Sequence, residues 1–265
     1  MHPFNLLPLL LTSLLHTAAH AHPNANANVP SAGGPSNVRN HHPPTKNLGG
    51  VSVIDTPLVR AAQDLARTHN DEHAYKHVMR SWLFGAILIR NNATLRNSID
   101  LEVHAVSTLL HDLGWVRTPN NTFVSSSNRF EVDGAIASRN FLNSHPDGLK
   151  WSPRKVQLVW DAIALHTEPR IAWFKEPDVA AVQKGIGMDF AGPQFGVSQQ
   201  EYDAVVREFP KEGFRESLNG TMIWLCETKA GSTYDTFIQP WGDKYVQGYE
   251  EEKVQTFDTI FNNLP

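Results

Sequence analysis

From Thr56 onward the apolar positions recur every three to four residues, the period of a helix with one buried face. Leu58, Ala61, Ala62 and Leu65 mark a first helix, opened by Thr56 as cap and Pro57 at the first helical position. Val78, Trp82, Leu83, Ala86 and Ile87 predict a second over residues 72–89, and Leu101, Val103, Val106, Leu109 and Leu110 a third over 98–112. Similar patterns predict helices over 129–142, from Ser152-Pro153 to about His166, and from Pro177 through Ile186. Ser198 and Glu201 have the spacing of a capping box at the start of another. Two more are expected over 218–228 and 250–261. Strand-like alternation is nearly absent, so the pattern predicts an all-α fold, a single helical domain over residues 56–265.

The N-terminus reads differently. Leu6 to Leu15 is an apolar run of signal-peptide length, followed by the small-x-small site Ala19-His20-Ala21. Residues 1–21 are therefore expected to be a signal peptide cleaved after Ala21, with the chain secreted and no membrane anchor. Residues 22–55, rich in Pro, Gly, Asn and His, are expected to be a flexible leader, with His41-His42 a solvated part of it. Three sequons, at Asn92, Asn120 and Asn219, agree with secretion.

Composition narrows the partners. The 265 residues carry a net charge of −4 and no basic stripe, so no nucleic acid is implied and a small, neutral or modestly polar substrate is expected. Oligomeric state is not legible. The single cysteine, Cys226, lies in an apolar helical run and reads as a buried thiol.

The chemistry concentrates where the apolar runs stop. His111-Asp112, in L-L-H-D-L-G-W, ends one of them. Burying an imidazole and a carboxylate without partners costs several kcal/mol, about 2 or more for each group, and a divalent ion is the natural partner for both. Gly114 is expected to end the helix, so that the two side chains converge at the break. Upstream, His69, His73 and His77 are spaced to share one helix face, with His77 deepest in the apolar part. Downstream, Asp189 lies between Met188 and Phe190. His77, His111, Asp112 and Asp189 thus form a candidate ligand set for one divalent metal: zinc first, with iron or manganese as alternatives.

That H…HD…D pattern resembles the HD-domain superfamily of metal-dependent hydrolases. The stretches H-V-M-R-S-W-L-F-G, L-L-H-D-L-G-W, R-F-E-V-D-G-A and A-I-A-L-H-T are together similar to its fungal cyanamide hydratase-like branch, as is V-S-Q-Q-E-Y-D-A-V-V-R-E-F-P. The resemblance spans about residues 57–245. It implies an all-α HD fold, one divalent metal, and addition of water to a small nitrile-like or C–N substrate. It also places Glu131 and Asp133 where many such proteins carry an active-site His or Glu, with Glu131 lining the pocket or orienting water; a salt bridge with Arg129 or Arg139 is the competing reading. The signal peptide departs from the branch, whose members are expected inside cells.

The remaining site candidates come from the residues. His166 is read as a substrate-facing hydrogen-bond donor, and Asp112 or Glu131 as the proton shuttle. Arg80, Trp82 and Trp115 are read as substrate-binding, with Trp173 and Phe174 as further apolar walls. Two other functions stay open. An HD phosphohydrolase would need cations converging on phosphate, yet Arg80, Arg117 and Arg170 form no cluster. A non-catalytic secreted protein could keep the ion for stability or ligand binding.

Overall fold

The computed structural model describes residues 43–117, 121–251 and 253–264. The expected signal peptide, the leader up to residue 42 with His41-His42, and the sequon residue Asn120 lie outside the described residues. Among the described residues, twelve α-helices and one two-stranded sheet make up the fold, which is all-α in class.

Chain order begins with an antiparallel hairpin. Strand β1 (Thr45–Leu48) pairs with β2 (Val51–Ile54), Thr45 opposite Ile54 and Leu48 opposite Val51. Part of the expected flexible leader is therefore ordered. The reason is a short alternation, Val51 and Val53, that turns two valines and Ile54 into the core, while Gly49 and Gly50 supply the positive φ of the tight turn.

Helix α1 (Pro57–His69) starts as predicted, with Thr56 Oγ1 accepting from Val59 N. Helix α2 (Glu72–Asn91) follows after a break, so His69 closes α1 and does not share a helix face with His77. Short α3 (Ala93–Ser98) was not legible, because its only buried anchoring comes from the residues around it. Helix α4 (Leu101–Leu110) stops one residue before His111, and the chain runs on into a 3₁₀ turn at Leu113–Trp115.

The second half contains α5 (Phe130–Ser144), α6 (Pro153–Ala164), α7 (Pro169–Ala172) and α8 (Pro177–Ala191). Then come α9 (Gln199–Glu208), α10 (Phe214–Thr228), α11 (Gln239–Tyr245) and α12 (Thr256–Phe261). The capping box on α9 is present, with Ser198 and Glu201 bonding each other's backbone N–H. No helix among the described residues is long and apolar enough to cross a membrane.

Helix α2 is the axis of the fold. From His77 to Gly85 every residue is buried, and α8, α4, α1 and α10 pack around it. A helix buried on all sides lacks a polar face, which is why its stripe pattern is weak. Each fully buried Leu83, Phe84 or Leu109 contributes roughly 2 kcal/mol by removal from water. Helix α8 comes closest to α2 at two glycines: a Cβ on Gly185 would lie 2.8 Å from the Ser81 carbonyl oxygen and 3.0 Å from Gly85 N. That close crossing brings the end of α8 beside His77. A second apolar cluster joins Trp115 and Phe130 to Met222, Leu225, Cys226, Ile238 and Tyr249 from the C-terminal helices. Cys226 is a buried thiol, as expected.

Candidate functional site

Three side chains from two places in the chain meet at the base of a cavity. His77 comes from the first half of α2; His111 and Asp112 come from the turn that follows α4. His111 Nε2 lies 3.0 Å from Asp112 Oδ2 and 3.2 Å from His77 Nε2, and His77 Nε2 lies 3.5 Å from the same carboxylate oxygen. All three residues are at most 1% exposed. Ligands about 2.1 Å from a common ion sit about 3.0–3.4 Å apart, so these spacings suit the edges of a coordination polyhedron. The buried His77–His111–Asp112 group can hold a metal ion.

The hydrogen bonds behind the rings make the case stronger. His111 Nδ1 donates to the Thr108 carbonyl oxygen at 2.8 Å, and His77 Nδ1 donates to Asp189 Oδ2 at 2.6 Å. Neither acceptor can donate, so in the neutral rings both protons sit on Nδ1. Each Nε2 then presents a lone pair to the other and to Asp112. Both Asp112 carboxylate oxygens are buried without a hydrogen-bond partner. Three acceptors converge with no donor between them, an arrangement that costs free energy unless a positive charge lies among them. An added proton is one way to supply that charge. Burial opposes it at His77, pushing that imidazole below its ordinary value even though Asp189 pulls the other way. A metal ion held by the three groups would supply that charge.

Asp189 has a different place from the one expected. It approaches His77 from the far nitrogen, and its oxygens are taken: Arg80 Nε donates to Oδ1 at 2.7 Å, Arg80 Nη2 to Oδ2 at 2.8 Å, and Lys211 Nζ lies 2.9 Å from Oδ1. Burial alone would raise its carboxyl; the His77 and Arg80 bonds outweigh it and hold the group far below the carboxylate range. In this geometry Asp189 is the anion that fixes the His77 tautomer and ring, and the direct donors are three. Sequence position could place an acid near His77 but could not say which imidazole nitrogen it meets.

Three further expectations change. Arg80 is fully buried and does not reach substrate space: besides Asp189, its Nη1 donates to the carbonyl oxygens of Phe209 and Pro210. Trp82, two residues on, points into the core away from the site, under Lys46 of the hairpin. Glu131 is not a cavity residue. Its two oxygens accept from Arg129 at 2.6 and 3.2 Å, and Oε1 also accepts from Thr167 Oγ1 at 2.6 Å. Burial would raise the Glu131 carboxyl, but the Arg129 pairing wins and leaves it below its ordinary value, so it stays ionised. The competing salt-bridge reading describes it, and its work is to hold Thr167 at the cavity wall.

His166 and Trp115 do line the cavity. His166 follows α6, its Nε2 3.8 Å from Asp112 Oδ1 and its ring 4.8 Å from that of His111. Its Nδ1 donates to the Ile163 carbonyl oxygen at 2.6 Å, and burial pushes its pKa down to about 4. The neutral ring therefore offers an unprotonated Nε2, an acceptor where a donor was expected. Trp115 lies 6.1 Å from the His77 ring and stacks on Phe130 at 5.6 Å.

The cavity has a volume of about 370 Å³. Sequence reading missed most of its wall. Gln183, Ile186 and Phe190 come from α8; Leu218 and Met222 from α10; Phe237 and Trp241 from the segment entering α11 and from α11 itself. Their helical spacing reads only as core, because the surface they share is built from helices far apart in the chain. Trp173 serves the wall indirectly, its indole N–H donating to Gln183 Oε1, while Phe174 is 88% exposed and walls nothing.

One backbone contact holds the His111-Asp112 turn. A Cβ on Gly114 would lie 1.9 Å from the Phe130 carbonyl oxygen and 2.7 Å from Gly134 N. Gly114 thus matters for close approach of α5, and the helix-ending role expected of it does not arise, since α4 has already ended at Leu110. Compared with known proteins, the chain matches no family model and no curated protein.

Proposed function

We propose that this chain is a metal-dependent hydratase or hydrolase of the HD type, adding water to a nitrile-like or other C–N substrate. The observation that carries the reading is the convergence of two imidazole lone pairs and an unpartnered carboxylate at the base of a cavity, with the unprotonated His166 Nε2 beside them. The resemblance of the histidine and H-D motifs to the cyanamide hydratase-like branch points the same way. A divalent ion, zinc foremost, would be held by His77, His111 and Asp112, and when bound it supplies Lewis acidity and brings water towards ionisation near neutral pH.

The residues do the rest. His166 Nε2 accepts a proton as water adds to the electrophilic carbon, and the resulting imidazolium returns it to the substrate nitrogen. Water thus adds across C≡N to give an imidic acid, whose O–H proton then passes to nitrogen to give the amide, or a urea from a cyanamide. Asp189, neutralised by Arg80 and Lys211, keeps His77 oriented. The largely apolar walls strengthen charge interactions at the buried donor end. A phosphoryl substrate is disfavoured, because no Lys or Arg is among the described residues lining the cavity.

Metal analysis after loading with zinc, iron(II) and manganese, followed by turnover assays on cyanamide, small nitriles and phosphodiesters, tests the reading. Stoichiometric metal and hydration that both vanish in His111→Ala, with folding kept, are expected. A folded chain that retains no metal from any of the three would overturn it. Metal bound without turnover on any substrate would favour a binding protein.

A further inference from the structure

The cavity is far larger than a molecule such as cyanamide requires, and its chemistry is one-sided. At about 370 Å³ it falls in the range that encloses ligands of roughly 10–20 non-hydrogen atoms. Asp112 and the histidines supply all its ionisable groups among the described lining residues, and they cluster at one end. Ile186, Phe190, Leu218, Met222, Phe237 and Trp241 make up much of the remainder. A phosphate or carboxylate lying along that apolar wall would meet no cationic side chain, and its desolvation would go uncompensated.

Two neutral polar side chains break the apolar wall, Thr167, whose hydroxyl donates to Glu131, and Gln183. Gln183 is buried, at 7% exposure, and its Oε1 accepts from the Trp173 indole N–H. An indole only donates, so this contact fixes which end of the amide is the oxygen. The Nε2 hydrogens are then the ones left for the cavity, a neutral donor whose orientation is set by the half-exposed Trp173 indole.

We infer that the cavity takes an uncharged, predominantly apolar or aromatic molecule, with its reactive polar end at His77, His111, Asp112 and His166 and its body along the aromatic wall, where Gln183 can donate to a neutral acceptor. The hydration of that end rests on the function proposed above. The shape and charge preference of the cavity does not.

Two measurements separate these. The first is kcat/KM of the zinc-loaded full chain on cyanamide, benzonitrile and 2-naphthonitrile. The second is calorimetric binding of 2-naphthonitrile and of phenyl phosphate to the metal-free full chain, where no zinc can draw the anion. Expected are a rise of at least tenfold in kcat/KM from cyanamide to 2-naphthonitrile, saturable binding of the naphthonitrile with a negative heat-capacity change, and no binding of phenyl phosphate. Leu218→Trp should fill the cavity and cut naphthonitrile binding at least tenfold. Met222→Phe, one helical turn on, reads the same space if the first variant does not fold. Naphthonitrile binding without turnover of any nitrile would remove the hydratase reading and leave this inference standing. Cyanamide preferred over both aryl nitriles, phenyl phosphate bound as tightly as the naphthonitrile, or naphthonitrile binding indifferent to both cavity-filling variants would overturn the inference.

Discussion

His104 and His111 lie two helical turns apart on one stretch of chain, both fully buried, and they have opposite meanings. His111 has its Nδ1 proton fixed on a carbonyl oxygen and its Nε2 aimed at other acceptors. His104 is wedged against Gly85, where a Cβ would come within 2.1 Å of its Nε2, and that nitrogen is buried with no hydrogen-bond partner. Burial pushes its pKa down to about 4, with no charge contributing. The contrast teaches that a buried histidine is informative through what its two nitrogens face. One that is tied behind and crowded in front by lone pairs invites a cation; one that is merely enclosed is packing material.

The largest effect expected from breaking this contrast is at the crowded end. Asp112→Asn keeps the shape but halves the carboxylate's acceptor capacity and removes its charge. Bound metal should fall at least about 100-fold, and any hydration with it, as read by metal titration and turnover. Unchanged metal affinity would mean the lone-pair crowding has another cause.

Next comes the anion behind His77. Asp189→Asn should weaken metal binding by about 10- to 100-fold, because the ring loses the carboxylate that fixes its proton. Gly185→Ala should reach the same site from a distance. The added methyl meets the Ser81 carbonyl, costs about 1–3 kcal/mol of stability, and shifts α8 with Asp189 on it. Denaturant unfolding and metal titration on the same samples check both parts.

The enclosed end gives a pH signature. Native His104 titrates about 4, below the ordinary 6.5, so between those values the unfolded chain binds a proton that the native chain refuses. Stability must therefore fall as pH drops from 6.5 to 4, by up to about 3 kcal/mol from this residue. His104→Leu should flatten the slope of unfolding free energy against pH in that window. An identical slope in the variant would show that His104 takes up its proton without unfolding.

The smallest effect sharpens the cavity rim. Glu131→Gln leaves Arg129 facing only Glu168 and loosens Thr167, so a loss of about 1–2 kcal/mol is expected in thermal or denaturant unfolding, with metal binding intact. Loss of metal would restore Glu131 to the site.

What the sequence disclosed follows from how local each signal is. Thr56-Pro57 and Ser198…Glu201 act within one helical turn, and both caps are where they were read. His111-Asp112 was legible because two polar groups at the end of an apolar run are costly wherever the chain folds. Asp189 was legible as a buried acid near His77, but its partner nitrogen depends on the α2–α8 crossing. Arg80 and Trp82 failed for a related reason: three and five residues beyond His77, they turn to other sides of a helix that has no solvent face. Gln183, Met222 and Trp241 carry no local mark at all, since a cavity wall and a core look alike until distant helices are assembled.

One buried ion pair has a wider consequence. Lys229, at the end of α10, reaches Asp133 on α5 at 2.7 Å, and Asp133 also accepts from Ser125 and Asn128. This clasp fastens the end of α10 to α5 through residues that belong neither to the cavity lining nor to the His77–His111–Asp112 group. On the proposed reading, His77, His111, Asp112 and His166 would carry the chemistry, while α8 and the residues from Leu218 to Trp241 would together shape what lies beside them. Under that proposal, exchanging the part of the wall from Leu218 to Trp241 would change which compounds fit while leaving the donor group in place.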